Sequence, residues 1–279
     1  MLPTTIDFRI TSRCNMSCPF CFGTKAVHHM NTSAHIDFLR KIRVHGVNNI
    51  VLTGGEPTCF PGFIDLLHAI HSMGYRISLS TNGSFWDNVA IRNAIFENVS
   101  FISLPIESSV SAIHNSLRLG IPNHFELVQR IIQEMSMLKL DTQLKISTVV
   151  TKTNIDSLSG ILDTLPIEPS IWKLYQLSSC QYNRQFYASN CISEEQFTKC
   201  VEQLQCQYFD RTTRIVSGYE LDRDRKYLFL DPDGSIKTII QNNESVIGHV
   251  SEEEYPLYQR INEMIDPEKI NSNFLNSFT

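Results

Sequence analysis

Apolar positions along this chain fall into two alternating rhythms. Short runs with a period of two lie at 5–11, 48–53, 75–81, 99–105, 142–150 and 170–176. Longer stretches with helical spacing lie between them, at 32–45, 61–73, 87–97, 123–139 and 156–164. Strand–helix alternation of this kind predicts a parallel α/β sheet. Six units fall short of the eight that close a barrel, so an open, partial (β/α)6 barrel is expected.

The faces of these strands differ. The first sets Ile6, Phe8 and Ile10 against Asp7, Arg9 and Thr11. The third sets Ile77 and Leu79 against Ser78, Ser80 and, past its end, Asn82. The fourth sets Ile102 and Leu104 against Ser103, Pro105 and then Glu107. The fifth sets Leu144 and Ile146 against Lys145 and Ser147, and in the sixth Lys173 opposes Trp172 and Leu174. Parallel strands covered on both faces are normally apolar throughout. One apolar face packed on helices and one polar face lining a cavity is the expected arrangement, since buried polar groups without partners are costly.

Near residue 180 the rhythm breaks. Residues 193–206 read as a helix with Ser193 as N-cap and an acidic first turn. Tyr227 to Asp231, a Pro-Asp-Gly turn and Ser235 to Ile240 read as a hairpin, and 255–264 as a last short helix. The expected organisation is a barrel core over 1–180 and an extension over 181–279 that caps it.

The chain has 279 residues, a net charge of −5 and 42% hydrophobic residues, enough for a large core. Basic residues are scattered, which argues against a nucleic-acid surface. No apolar run approaches the roughly 20 residues of a membrane-spanning helix, and Met1–Thr5 lacks the charged and apolar regions of a signal peptide. No nucleic-acid partner and no membrane association are expected. Eight cysteines without secretion signals predict thiols and ligands in a cytoplasmic setting.

Three of them, Cys14, Cys18 and Cys21, follow the first strand in a C-x3-C-x2-C run. A closed zinc site needs four ligands, and no fourth Cys or His stands nearby at ligand spacing. Three thiolates on one loop suggest an iron–sulfur cubane with one iron open to a small molecule. A zinc loop and unrelated thiols are the alternatives. After the second strand comes Thr53-Gly54-Gly55-Glu56-Pro57, where two glycines permit close backbone approach and Glu56 can accept from an ammonium group. Thr81-Asn82-Gly83 closes the third strand. Ser80, Asn82, Ser103, Glu107 and Ser147 stand at C-terminal strand ends, where α/β sites assemble.

The cysteine triad, with Phe20 before its last member, resembles the signature of the radical S-adenosylmethionine (SAM) superfamily. Gly54-Gly55-Glu56-Pro57 and Thr81-Asn82-Gly83 resemble that superfamily's GGEP and TNG elements. The resemblance implies a [4Fe-4S] cluster on Cys14, Cys18 and Cys21, and SAM held near Phe20, Gly54, Gly55, Glu56, Ser80, Asn82, Glu107 and Ser147. It implies reductive cleavage of SAM to a 5′-deoxyadenosyl radical that removes a substrate hydrogen atom. A one-electron donor such as flavodoxin or ferredoxin is then a partner.

Beyond these motifs, Leu144 to Asn154 resembles the fifth-strand segment of viperin-type enzymes, with Ser147 where that family has Asn. Ile171-Trp172-Lys173-Leu174-Tyr175-Gln176 resembles its Trp-Lys-Val-Phe-Gln segment, Asn123-His124 its Asn-His element, and Tyr227-Leu228-Phe229-Leu230-Asp231 its Tyr-Leu-x-Leu-Asp. The resemblance implies a nucleoside triphosphate substrate such as CTP, hydrogen abstraction at ribose C4′ and a 3′-deoxy-3′,4′-didehydro product. It implies substrate contacts from Arg118, Asn123, His124, Lys145 and Lys173. The residues agree in that buried lysines on an inner face call for an anion; the alternative partners are Asp7 and Glu107. Ile121-Pro122 replaces the family's basic pair, and Glu220 to Tyr227 departs from its Asn-x-x-Met-x-x-Ser-Tyr stretch. Two other readings stand beside this one. The first is a radical SAM enzyme acting on a peptide or small metabolite, with Cys180, Cys191, Cys200 and Cys206 as candidates for a second cluster. The other is a metal-stabilised binding module without catalysis.

Overall fold

A computed structural model describes residues 2–23, 26, 28–138 and 141–275. Residue 139 of the expected 123–139 helix and residues 276–279 of the extension lie outside the described residues. All six expected strands form: β1 (Thr5–Arg9), β2 (Asn49–Thr53), β3 (Arg76–Ser80), β4 (Phe101–Pro105), β5 (Gln143–Val150) and β6 (Ile171–Gln176). They pair in chain order, all parallel. A seventh parallel strand that alternation did not announce, β7 (Arg214–Gly218), extends the sheet beyond β6.

The other edge is built from the extension. β8 (Phe229–Leu230) runs parallel to β1, and β9 (Ser235–Ile240) and β10 (Asn243–His249) follow antiparallel. The sheet order is β10-β9-β8-β1-β2-β3-β4-β5-β6-β7, with β7 and β10 at its two edges, so the barrel stays open. The expected hairpin is present as β8 and β9, with β8 only two residues long.

Helices α1 (Thr32–Arg43), α2 (Phe63–Ser72), α3 (Val89–Asn98), α4 (Ser111–Leu117) and α5 (His124–Leu138) connect the parallel strands. Their apolar stripes pack on the apolar strand faces: Phe8, Leu52, Leu79, Leu104 and Ile146 meet Leu39, Leu66, Ile95 and Ile131 in one core. Caps fix where helices begin. Asn31 accepts from Ala34 N–H ahead of α1, and Asn88 from Ala90 and Ile91 N–H ahead of α3. The expected helix over 156–164 is replaced by two single 3-10 turns, Ile155–Ser157 and Leu162–Thr164. Ser157, Ser159 and Gly160 weaken a longer helix, and the Asn154 amide donates to Glu107 and Val149 carbonyls instead. In the extension, α6 (Arg184–Asn190), α7 (Glu194–Gln207), α8 (Glu254–Met264) and α9 (Pro267–Leu275) flank the added strands. α7 starts on a capping box between Ser193 and Gln196.

Candidate active site

The cysteine loop leaves the C-terminal end of β1, and Gly54 and Gly55 seat it. Gly55 N–H donates to Thr11 O at 2.7 Å and Glu56 N–H to Arg13 O at 2.8 Å. A Cβ on Gly54 would stand 2.3 Å from Thr11 O, and one on Gly55 2.3 Å from Arg13 O. Only glycine fits at either position. At Ser12, both N–H and Oγ lie 3.0 Å from His29 Nε2. His29 therefore braces the loop.

Glu56 is 1% exposed. Its Oε1 accepts from Thr58 N–H (3.1 Å), Thr58 Oγ1 (2.6 Å) and Thr81 Oγ1 (2.7 Å), and Oε2 accepts from Asn82 N–H at 2.7 Å. Burial pushes its pKa up and these four donors pull it down. Through these four bonds the carboxylate ties GGEP to TNG, with Oε2 accepting a single bond. Asn82 continues the tie. Its Nδ2 donates to Asn15 Oδ1 at 3.0 Å and lies 3.9 Å from Cys14 Sγ.

Every sulfur of the triad receives an N–H. Met16 N–H points at Cys14 Sγ (3.4 Å), Arg118 Nη1 at Cys18 Sγ (3.8 Å) and Gly23 N–H at Cys21 Sγ (3.3 Å). Such donors favour thiolate. Burial opposes them, raising Cys14 to about 11 and Cys18 upward, so an iron must displace the proton. Three cysteines on one short loop, each sulfur met by an N–H donor, fit a cluster held by three thiolates with one iron left open.

Glu107 and Arg118 find each other. Glu107, fully buried, accepts Val149 N–H at 2.8 Å on Oε2 and Arg118 Nε at 2.8 Å on Oε1, with Arg118 Nη2 also on Oε1. The Arg118 guanidinium lies 4.9 Å from the Phe20 ring centroid. This pair stands against the cysteine loop through Phe20 and Cys18, beside a cavity whose lining includes Phe20. His124 is fully buried between His114 and Asn82 O. Asn123 is exposed, with φ 54°, at the start of α5 and away from the cavity.

The cavity itself, about 290 Å³, runs from the cysteine loop to the polar face of the sheet. Phe20, Phe22, Gly23 and Gly54 form one wall, and Asp7, Arg9, Ser80 and Lys145 another. Ser147, half-buried on β5, is 2.8 Å from Ser103 Oγ. Lys145 is 7% exposed; burial lowers its pKa to about 8, against the attraction of Asp7. Asp7 is raised to about 6 by burial, opposed by Arg9, Lys173 and Lys145. Lys173, 4% exposed, sits 5.0 Å from the Tyr175 ring centroid and is pushed well down by burial and by Lys145.

Asp7 and Arg9 are wall residues that strand alternation placed on the polar face. Other wall residues escaped sequence reading, among them Tyr175, on the Lys173 face of β6. Arg223, whose guanidinium stacks 4.1 Å from the Phe22 ring centroid, and Tyr227 come from a stretch with no periodic signal. Arg9 bonds Asp231 at 3.0 Å, fastening the extension to β1. Cys180 Sγ lies 3.6 Å from Cys21 O. Cys200 is buried and Cys206 exposed on α7. No helix of the described residues is long and apolar enough to cross a membrane.

A relative from Flammeovirga pacifica, named S-adenosylmethionine-dependent nucleotide dehydratase, is 25% identical over 89% of this chain and 87% of its own. A relative of the same name from a Thermoplasmatales archaeon is 26% identical over 76% of this chain and 78% of its own. Among solved structures, Streptococcus suis SuiB bound to S-adenosylmethionine superposes with a TM-score of 0.73 at 15% identity, covering 93% of this chain and 68% of that one. The radical SAM superfamily model matches residues 8–165, more than half of the chain, across the cysteine loop, GGEP and TNG. The chain is thus an enzyme that belongs to the radical SAM superfamily, with a [4Fe-4S] cluster and SAM as its cofactors.

Proposed function

We propose that this enzyme is a viperin-like nucleotide dehydratase acting on a nucleoside triphosphate such as CTP. The observation that carries this reading is Lys145. It is a buried ammonium in the cavity wall, attracted by Asp7, with Lys173 also buried on the neighbouring strand, so that two lysines face one carboxylate. Buried ammonium groups call for an anion, and a triphosphate supplies one. Full-length similarity to nucleotide dehydratases points the same way.

When bound, the cluster and SAM supply a radical that takes one hydrogen atom. Ribose C4′ is the proposed donor. Departure of the 3′-hydroxyl with a proton, as water, and entry of one electron leave a C3′–C4′ double bond. An external one-electron donor, of the flavodoxin or ferredoxin kind, supplies that electron and the one consumed in cleaving SAM. The protein's part is positional: Cys14, Cys18 and Cys21 hold the cluster, Gly54 and Ser80 line the SAM side of the cavity, and Lys145 and Lys173 orient the phosphates. Phe20, Phe22, Tyr227 and Phe229 keep water from the reacting carbon.

The test is anaerobic incubation with SAM, reductant and each nucleoside triphosphate separately. One triphosphate is expected to raise 5′-deoxyadenosine release and to be converted to a product lighter by one water. No rise with any of them would overturn the reading.

A further inference from the structure

His114 and His124 take no part in the cavity, yet both are fully buried and stack with ring centroids 5.1 Å apart. Glu107 N–H donates to His114 Nδ1 at 3.1 Å. An amide nitrogen only donates, so Nδ1 accepts and the His114 proton sits on Nε2. That Nε2 is 2.9 Å from His124 Nδ1, which must therefore accept. The His124 proton is then on Nε2, 2.9 Å from Asn82 O, a carbonyl that only accepts. Three hydrogen bonds thus have a single consistent proton assignment running from Glu107 N to Asn82 O. Burial depresses His114 to about 2 and His124 to about 4. Both stay neutral near pH 7, so the chain is fixed and is not a switch.

Both ends of this chain reach the cysteine loop. Asn82 directs Nδ2 toward Cys14 Sγ at 3.9 Å. Glu107 holds Arg118, whose Nη1 is 3.8 Å from Cys18 Sγ. The two imidazoles join the backbones of the residues that steer one donor each onto two of the three sulfurs. Hydrogen bonds to sulfur help set the potential of an iron–sulfur cluster, because they stabilise the more negative, reduced form.

We propose that His114 and His124 are positioning residues that hold the Asn82 and Arg118 donors against the cluster thiolates and thereby set its reduction potential. The inference rests on the cluster and not on the nucleotide reading, and its test needs no substrate.

The proteins are wild type, His114→Asn, His124→Asn and His124→Gln, reconstituted anaerobically and titrated by reductant with EPR detection. Asn at 124 keeps an acceptor for His114 but falls short of Asn82. Asn at 114 keeps the acceptor for Glu107 N–H but loses the donor to His124. Gln at 124 restores a donor to Asn82 O. Both Asn variants, with full iron, are expected to titrate at more negative potential than wild type, with His124→Gln recovering most of the shift. Adding His124→Asn to Asn82→Ala should move the potential no further than Asn82→Ala alone. Unchanged potentials in the iron-loaded Asn variants, or full additivity with Asn82→Ala, would overturn the proposal. Nitrogen-15 NMR of the imidazoles in wild-type protein tests the assignment without substitution. Both should carry the proton on Nε2, and an Nδ1 proton on either ring would also overturn it.

Discussion

Gly55 and Arg13 meet backbone to backbone, with no room for even a methyl group between them: the missing Cβ would fall 2.3 Å from Arg13 O. The glycine pair is thus explained by the cysteine loop that rests on it. Gly55→Ala should displace that loop at a cost of at least about 2 kcal/mol. Iron bound after anaerobic reconstitution should fall well below about four per chain. Gly160→Ala is the control. Its Cβ would meet only the Ser109 side chain, at 3.1 Å, so iron content should match wild type.

Glu56 predicts a different failure. All four of its partners donate: Thr58 N–H, two hydroxyls and Asn82 N–H. In Glu56→Gln an amide NH2 replaces one carboxylate oxygen and confronts at least one donor. The expected cost is about 1–3 kcal/mol in urea unfolding. SAM affinity should fall as well, because Thr81 and Asn82 lose their anchor. Glu56→Ala should fare worse than Gln on both measures; a Gln variant with wild-type stability would contradict this four-donor geometry.

Lys145 makes the nucleotide reading pH-sensitive. Burial lowers it to about 8, so it is cationic below that pH and increasingly neutral above it. Phosphate binding needs the cation. Triphosphate KM should therefore rise as pH climbs through about 8, while SAM cleavage without nucleotide is unaffected by this group. Lys145→Met should raise KM at pH 7 by about tenfold or more, as expected for one lost charge-assisted contact. Lys145→Arg should bind at pH 7 and lose the alkaline rise. Initial rates of 5′-deoxyadenosine release across pH 6.5–9 check all three.

How much of this was readable in advance depended on the range of the interactions. Alternation is local, so the inward set of Asp7, Arg9, Ser80 and Lys145 followed from period two and reappears as cavity wall. The cysteine triad is local too. The protein partners of Glu56 were not legible because they include Thr81 and Asn82, 25 and 26 residues away, and sequence does not count donors across strands. Arg118 and Glu107 were assigned to two different ligands; eleven residues apart in sequence, they pair with each other once β4 and α4 fold. β7 was missed because Arg214–Gly218 is short and ends in glycine, and pairing with β6 overrides weak propensity.

His35 is the clearest unpaid cost in the core. It is fully buried, its ring lies against Phe8 (4.9 Å) and Phe60 (5.7 Å), and neither ring nitrogen has a hydrogen-bond partner. Burial lowers its pKa from 6.5 to about 4. The sign follows from proton uptake. Below about pH 6.5 the unfolded chain binds a proton that the folded one refuses, so this group removes stability as pH falls toward 4. Two and a half units correspond to about 3 kcal/mol at the low end. His114 and His124 act in the same direction and Asp7, with its raised pKa, in the opposite one, so wild-type stability alone does not isolate His35. The difference between wild type and His35→Leu does. At pH 7 the leucine variant should be more stable by about 1–3 kcal/mol, the penalty of unsatisfied buried polar atoms. At pH 5 its advantage should widen by about 2 kcal/mol. Urea unfolding at the two pH values measures both, and an advantage that narrows on acidification would show that the imidazole gains a partner the fold does not reveal.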